Sequence, residues 1–138
     1  MNKFIGTKEL LAKPMTRGEY NEYRGWTIPA DEDPNEAGYL VEYTDGGKPN
    51  DDRHSGYISW SPANVFNRAY APASTWLDRV KLEKANMQTM LDALEVTLRT
   101  ESKPEVIEQD QWDLMHRQQF HMRQYVQILE ERINKAEA

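Results

Sequence analysis

Flat side chains stand close to cations along this sequence: Trp26, Trp60, Trp76 and Trp112, with seven tyrosines, are interleaved with Arg24, Arg79, Arg117 and Arg123. Aromatic faces stack on nucleobases at about 1–3 kcal/mol per base and arginine forks take up phosphate oxygens, so these residue types suit a ligand of nucleotide size. They suit a protein core equally well, above all Tyr57, Trp60 and Trp26 beside short apolar runs. Catalytic sets are not evident. His54, His116 and His121 lack the spacing of a metalloprotease helix, because His116 and His121 point more than a right angle apart on a helix. Gly46-Gly47-Lys48 lacks the further glycine and the following helix of a phosphate loop, and Ser59 and Ser61 flank Trp60 without an evident base. We therefore expect no enzyme, no metal site and no cofactor.

The totals narrow the classes further. A formal charge of -6 argues against a protein that neutralises many phosphates of a nucleic-acid polymer, although a pocket for one or two phosphates needs only two or three cations. With no cysteine there is no disulfide framework, thiol nucleophile or thiolate metal site. Met1 to Gly6 lacks the apolar core of a signal peptide, and no run approaches the ~18 apolar residues a membrane helix needs. The expectation is a soluble, unexported protein of 138 residues with no membrane partner.

Two regions must position any site. Residues 1–72 read as a small antiparallel sheet lobe with short helices. Lys3 to Thr7 reads as a strand, with Leu10 to Ala12 leading into Pro14. Thr16 with Glu19 three residues later is a capping-box pattern for a helix from Arg17 to about Tyr23, stopped by Gly25. Trp26 to Pro29 runs extended, and Ala30 to Gly38 is an acidic loop without the glycine and glutamate spacing of a calcium loop. Tyr39–Tyr43 and Tyr57–Trp60 are the clearest strands and should pair as a hairpin across a long polar connection, Thr44 to Ser55, read as a solvated excursion. Ser61 as N-cap with Pro62 in the first turn predicts a helix from Ala63 to Tyr70 that presents Val65, Phe66 and Ala69 or Tyr70 to the sheet.

Residues 73–138 read as a long antiparallel helical hairpin. Thr75 with Asp78 caps the first helix, and Pro104 with Glu105 and Glu108 opens the second. Apolar positions recur at four-then-three spacing through Leu77, Val80, Lys84, Met87, Leu91, Leu94 and Leu98, then through Met115, Gln118, Met122, Tyr125, Leu129 and Ile133. Lys84 and Gln118 are the polar exceptions. A fold-back near residue 103 would set Lys84 level with Met122, about one turn from Gln118. Because an extended hairpin buries little surface alone, it should associate with another copy, giving a homo-oligomer. The fold class is thus α+β, with the hairpin driving oligomerisation.

The order of segments carries a resemblance. Phe4-Ile5-Gly6-Thr7-Lys8, Pro14-Met15-Thr16-Arg17-Gly18-Glu19-Tyr20-Asn21 and Arg24-Gly25-Trp26 come first. Gly38-Tyr39-Leu40-Val41-Glu42-Tyr43 with Asp45-Gly46-Gly47, and Gly56-Tyr57-Ile58-Ser59-Trp60-Ser61-Pro62 with Val65-Phe66, follow. This half resembles the first family of phage Thoeris anti-defence proteins. The hairpin, in Arg79-Val80, Glu83-Lys84, Arg117-Gln118, Met122, Tyr125, Ile128-Leu129 and Arg132-Ile133, resembles the one that family shares with anti-CBASS sponge proteins. The segment from Val96 to Trp112 departs from that pattern.

The resemblance implies a sponge in the cytoplasm of an infected bacterial host. Such a protein binds cyclic nucleotide immune signals without cleaving them: cyclic ADP-ribose isomers of Thoeris systems and, at separate sites in related proteins, cyclic di- or trinucleotides of CBASS. Family members form dimers and, in some cases, hexamers. To silence a receptor, affinity must be nanomolar, about -12 kcal/mol. The residues assigned to phosphate contact are Arg79, Arg117 and Arg123, with Lys84 for a second anion; Trp26, Tyr57 and Gln118 are assigned to base or ribose. The alternative is a phage interaction module that grips a host protein through the hairpin.

Overall fold

The computed structural model describes residues 1–138, which divide into two units, Met1–Tyr70 and Ala71–Ala138. Together they make an α+β chain, and none of its helices is long and apolar enough to cross a membrane.

In the first unit three strands form an antiparallel sheet in the order β1 (Leu10–Pro14), β2 (Gly38–Tyr43), β3 (Ile58–Pro62). The hairpin of β2 and β3 is as the sequence predicts, with Leu40 opposite Trp60 and Glu42 opposite Ile58. The first strand is a correction. Lys3 to Thr7 has no secondary structure, and the strand is instead Leu10–Pro14, paired so that Ala12 faces Val41. Its proline closes the ladder at an edge, where a missing N–H costs least.

Helix α1 (Arg17–Arg24) starts where Thr16 accepts a bond from the Glu19 N–H and stops at Gly25, whose φ of 73° is left-handed. It lies over the sheet face that carries Leu40, Ile58 and Trp60, and with Met15, Tyr20 and Tyr23 these make the core. Helix α2 (Ala63–Ala69) packs on the opposite face, where Phe66 stacks on Tyr39 with ring centroids 4.1 Å apart. Two local readings of α2 change. Pro62 stands at the N-cap because β3 continues through Ser61, whose hydroxyl turns to the Pro62 carbonyl, so no side chain caps the helix. Val65 points to solvent rather than to the sheet.

The second unit is the helical hairpin, α3 (Trp76–Leu98) and α4 (Gln109–Glu137). Thr75 and Asp78 form the full capping box. The second helix starts later than Pro104: Glu108 is the N-cap, and Lys103 holds the connection by donating to the Ile107 carbonyl at 2.6 Å. Leu91 packs with Met122 and Val126, Glu95 meets Arg123, and Lys81 meets Glu137. This register runs the first two turns of α4 past the end of α3.

Candidate functional site

Arg17, Tyr20 and Asn21 of α1, the extended Trp26 to Pro29 and β3 enclose an open groove of about 600 Å³ in the first unit. Glu32, Asn50 and Tyr57 complete its walls. Trp26 is 53% exposed and Tyr57 47%, so both offer ring surface to a ligand rather than to the core. Trp26 also borders a second concavity, of about 580 Å³, with Thr16, Gly18, Ile28 and Pro34.

Each tryptophan of the groove carries an arginine. The Arg17 guanidinium lies 4.5 Å from the Trp60 ring centre and that of Arg24 lies 4.5 Å from Trp26. Such stacking orients the guanidinium plane and leaves its edges for hydrogen bonds, which Arg17 makes to Glu32 and Glu36 and Arg24 to the Tyr20 hydroxyl and the Asn50 carbonyl. Trp60 is fixed from below, since its indole N–H donates to the Met15 carbonyl at 2.7 Å. A side chain at Gly38 would put Cβ 2.3 Å from that indole, so the glycine is required for the ring to lie there. Tyr20 meets Trp26 edge to face at 6.0 Å, and burial pushes its phenol above the usual range.

The long connection between β2 and β3 is exposed along most of its length, as the sequence suggests, but it is tethered rather than free. Asn50 gives its amide to one residue twice, donating to the Ile58 carbonyl and accepting from the Ile58 N–H, both at 2.8 Å. Asp51 is gripped by Arg53 at 2.7 Å, and Arg53 also lies over the Tyr23 ring at 3.7 Å and donates to the Tyr23 carbonyl. The Arg53 guanidinium holds the Asp51 carboxyl well below the usual carboxylate range. His54 bridges the Glu42 carboxylate at Nδ1 and the Tyr23 hydroxyl at Nε2, the latter at 2.6 Å. The loop is thereby pinned to α1 and β2, and holds Asn50 and Tyr57 in the groove wall.

The sequence-assigned residues divide between the units. Trp26 and Tyr57 line the same groove. Arg17, Asn50 and Trp60 also line that groove without having been assigned from the sequence; the N-cap at Thr16, which fixes Arg17 in the first turn of α1, is the signal that bears on one of them. The other five belong to the hairpin, where the proposed meeting of Lys84 with Met122 and Gln118 does not occur. Lys84 reaches Glu130 instead, at 3.8 Å, because the overhang of α4 shifts the register by about two turns. Gln118 is exposed and lies off the seam, as does Tyr125, whose hydroxyl donates to Glu83. The buried series is Met122, Val126 and Leu129, flanked by half-buried Met115, Gln119 and Ile133. Arg117 and Arg123 sit about 120° apart around α4 and do not converge. Arg123 is held by Glu95 at 3.1 Å, Arg79 donates to the Ala73 and Ser74 carbonyls, and Arg117 makes no ion pair.

No curated protein and no solved structure matches the chain significantly. A family model described as Sequestin matches residues 74–135, nearly the whole of the hairpin unit and fewer than half of the chain's residues. The hairpin is thus similar to a family whose name fits a sequestering protein.

Proposed function

We propose that the protein is a sponge: it binds cyclic nucleotide immune signals, foremost cyclic ADP-ribose isomers, and sequesters them without cleavage in the cytoplasm of a phage-infected bacterium. The observation that carries this reading is the groove in which exposed Trp26 and Tyr57 stand beside Arg17, itself stacked on Trp60. Its volume of about 600 Å³ fits a ligand of nucleotide size. The match of the hairpin to Sequestin supports the sequestering part. In the hairpin, Arg79, Arg117, Arg123 and Lys84 remain the proposed phosphate contacts, and Gln118 the proposed base or ribose contact. Arg117 is the readiest, having no partner to give up.

A second surface favours self-association. Trp76, Glu83 and Met90 on α3, and Leu114, His121 and Ile128 on α4, recur at seven-residue spacing, and the Tyr125–Glu83 bond ties the two stripes to one side of the hairpin. Trp76, Met90, Leu114 and Ile128 are about half exposed there, an apolar surface suited to a second copy. The same stripe would serve the alternative, a module that grips a host protein.

Calorimetry against the cyclic ADP-ribose isomers and a panel of cyclic di- and trinucleotides tests the reading. Nanomolar binding, with intact messenger recovered by mass spectrometry after heating the loaded protein, is the expected result. Recovery of linear product alone points to a hydrolase, and silence across the panel points to the interaction module.

A further inference from the structure

Arg17 presents two edges to two carboxylates, and they are held differently. Its Nε and Nη2 both reach one oxygen of Glu36 at 2.9 Å. Glu36 is fixed by its backbone, since its carbonyl accepts from the Arg17 N–H at 3.0 Å and the neighbouring Pro34 carbonyl accepts from Gly18 at 2.8 Å. A Cβ at Gly18 would fall 2.8 Å from that carbonyl, so the loop is seated directly on α1. Glu32 meets the remaining Nη1 at 3.2 Å. That is the only contact of its carboxylate, and its backbone is held by a single turn bond to Pro29. Glu32 and Arg17 line the groove, whereas Glu36 does not.

We propose that the Nη1 edge of Arg17 is an anion subsite of the groove, occupied in the free protein by the Glu32 carboxylate, which a phosphate group of the ligand displaces. This rests on the reading of the groove as a nucleotide site. The exchange keeps the guanidinium paired throughout, so a free phosphate gains little over the resident carboxylate. A ligand that also stacks on Trp26 brings its phosphate to Nη1 at high local concentration and wins the exchange. Glu32 then sets specificity by rejecting small anions that lack a base. The chain around Glu32 lies outside any helix or strand, so the displaced side chain can turn to solvent without breaking a ladder.

The test follows the indole N–H signals of Trp26 and Trp60 by NMR while adenosine and adenosine 5′-monophosphate are titrated into the full chain and into Glu32→Gln, Asp31→Asn and Arg17→Gln. Glu32→Gln should raise the ratio of monophosphate to adenosine affinity by about two- to fivefold, the worth of one partly exposed ion pair. Asp31→Asn, which removes the same charge one residue away, should leave the ratio unchanged, and Arg17→Gln should abolish the preference. The backbone spectrum reports whether each variant remains folded. If Glu32→Gln leaves the ratio at its wild-type value, or if Asp31→Asn raises it equally, the displacement is wrong while adenosine binding keeps the groove. Absence of any shift at either indole in every titration overturns the groove and the subsite together.

Discussion

Trp26 and Trp60, each covered by an arginine, have different duties. Trp60 is half-buried, donates to Met15 and belongs to the core of the first unit, while Trp26 is exposed and contacts only Tyr20 and Arg24 among aromatic and cationic partners. Trp26→Ala should therefore lower messenger affinity by about 1–3 kcal/mol, the worth of one stacked base, with little change in the urea midpoint. Trp60→Ala should cost about 3–5 kcal/mol of stability, as large aromatic truncations in a core do. Calorimetry and urea melts on the two variants separate the roles; a large stability loss in Trp26→Ala would show that its ring is core. Asp51 acts on the same loop through charge. Its folded-state pKa lies below the ordinary value, chiefly because its side chain is hydrogen-bonded by Arg53, so its contribution is fully present above about pH 4 and is lost as pH falls below that. Asp45, paired with Lys8, and Glu95, paired with Arg123, shift in the same direction. The urea midpoint should fall steadily from pH 5 to pH 2.5, and Asp51→Asn should remove part of that slope.

At the scale of elements, the seam of α4 is the sharpest case, because Met115, Met122 and Leu129 belong to two possible frames. One continues through Gln118 and Tyr125, the other through Gln119 and Val126. Val126 is buried beside Leu91, and the longer Tyr125 carries its hydroxyl out to Glu83, so the second frame holds. Gln119→Leu should accordingly stabilise the hairpin, while Gln118→Leu should change it by less than about 0.5 kcal/mol; thermal melts of the two variants distinguish the frames. What could be read from the sequence was local chemistry. Caps at Thr16 and Thr75, the stop at Gly25 and the β2–β3 pairing all depend on residues a few positions apart. The register of α3 on α4 depends instead on where Glu108 lets the second helix begin, ten residues past Leu98, and spacing within each helix carries no trace of it. The groove was half legible for the same reason. Trp26 and Tyr57 declare themselves by type, whereas Asn50 looks like a polar loop residue until its two hydrogen bonds to the Ile58 backbone are seen.

For the whole molecule, size and exposed surface set the terms. Each unit has about 70 residues, near the lower limit at which one hydrophobic core suffices, and the hairpin buries only a few side chains along its seam. The stripe of Trp76, Met90, Leu114 and Ile128 is surface that a second copy would remove from water, so the proposed self-association would add to the hairpin's stability by mass action. Two consequences follow together. The melting midpoint should rise with protein concentration, and Ile128→Glu, placing a charge in the middle of the stripe, should abolish that dependence and lower the mass measured by light scattering from that of an oligomer to that of a monomer. Ile128 is half exposed, so the substitution costs the isolated hairpin little, and a folded monomer is the expected product. A midpoint independent of concentration in the unmodified protein would leave the stripe to a different protein, and with it favour the interaction module over the sponge.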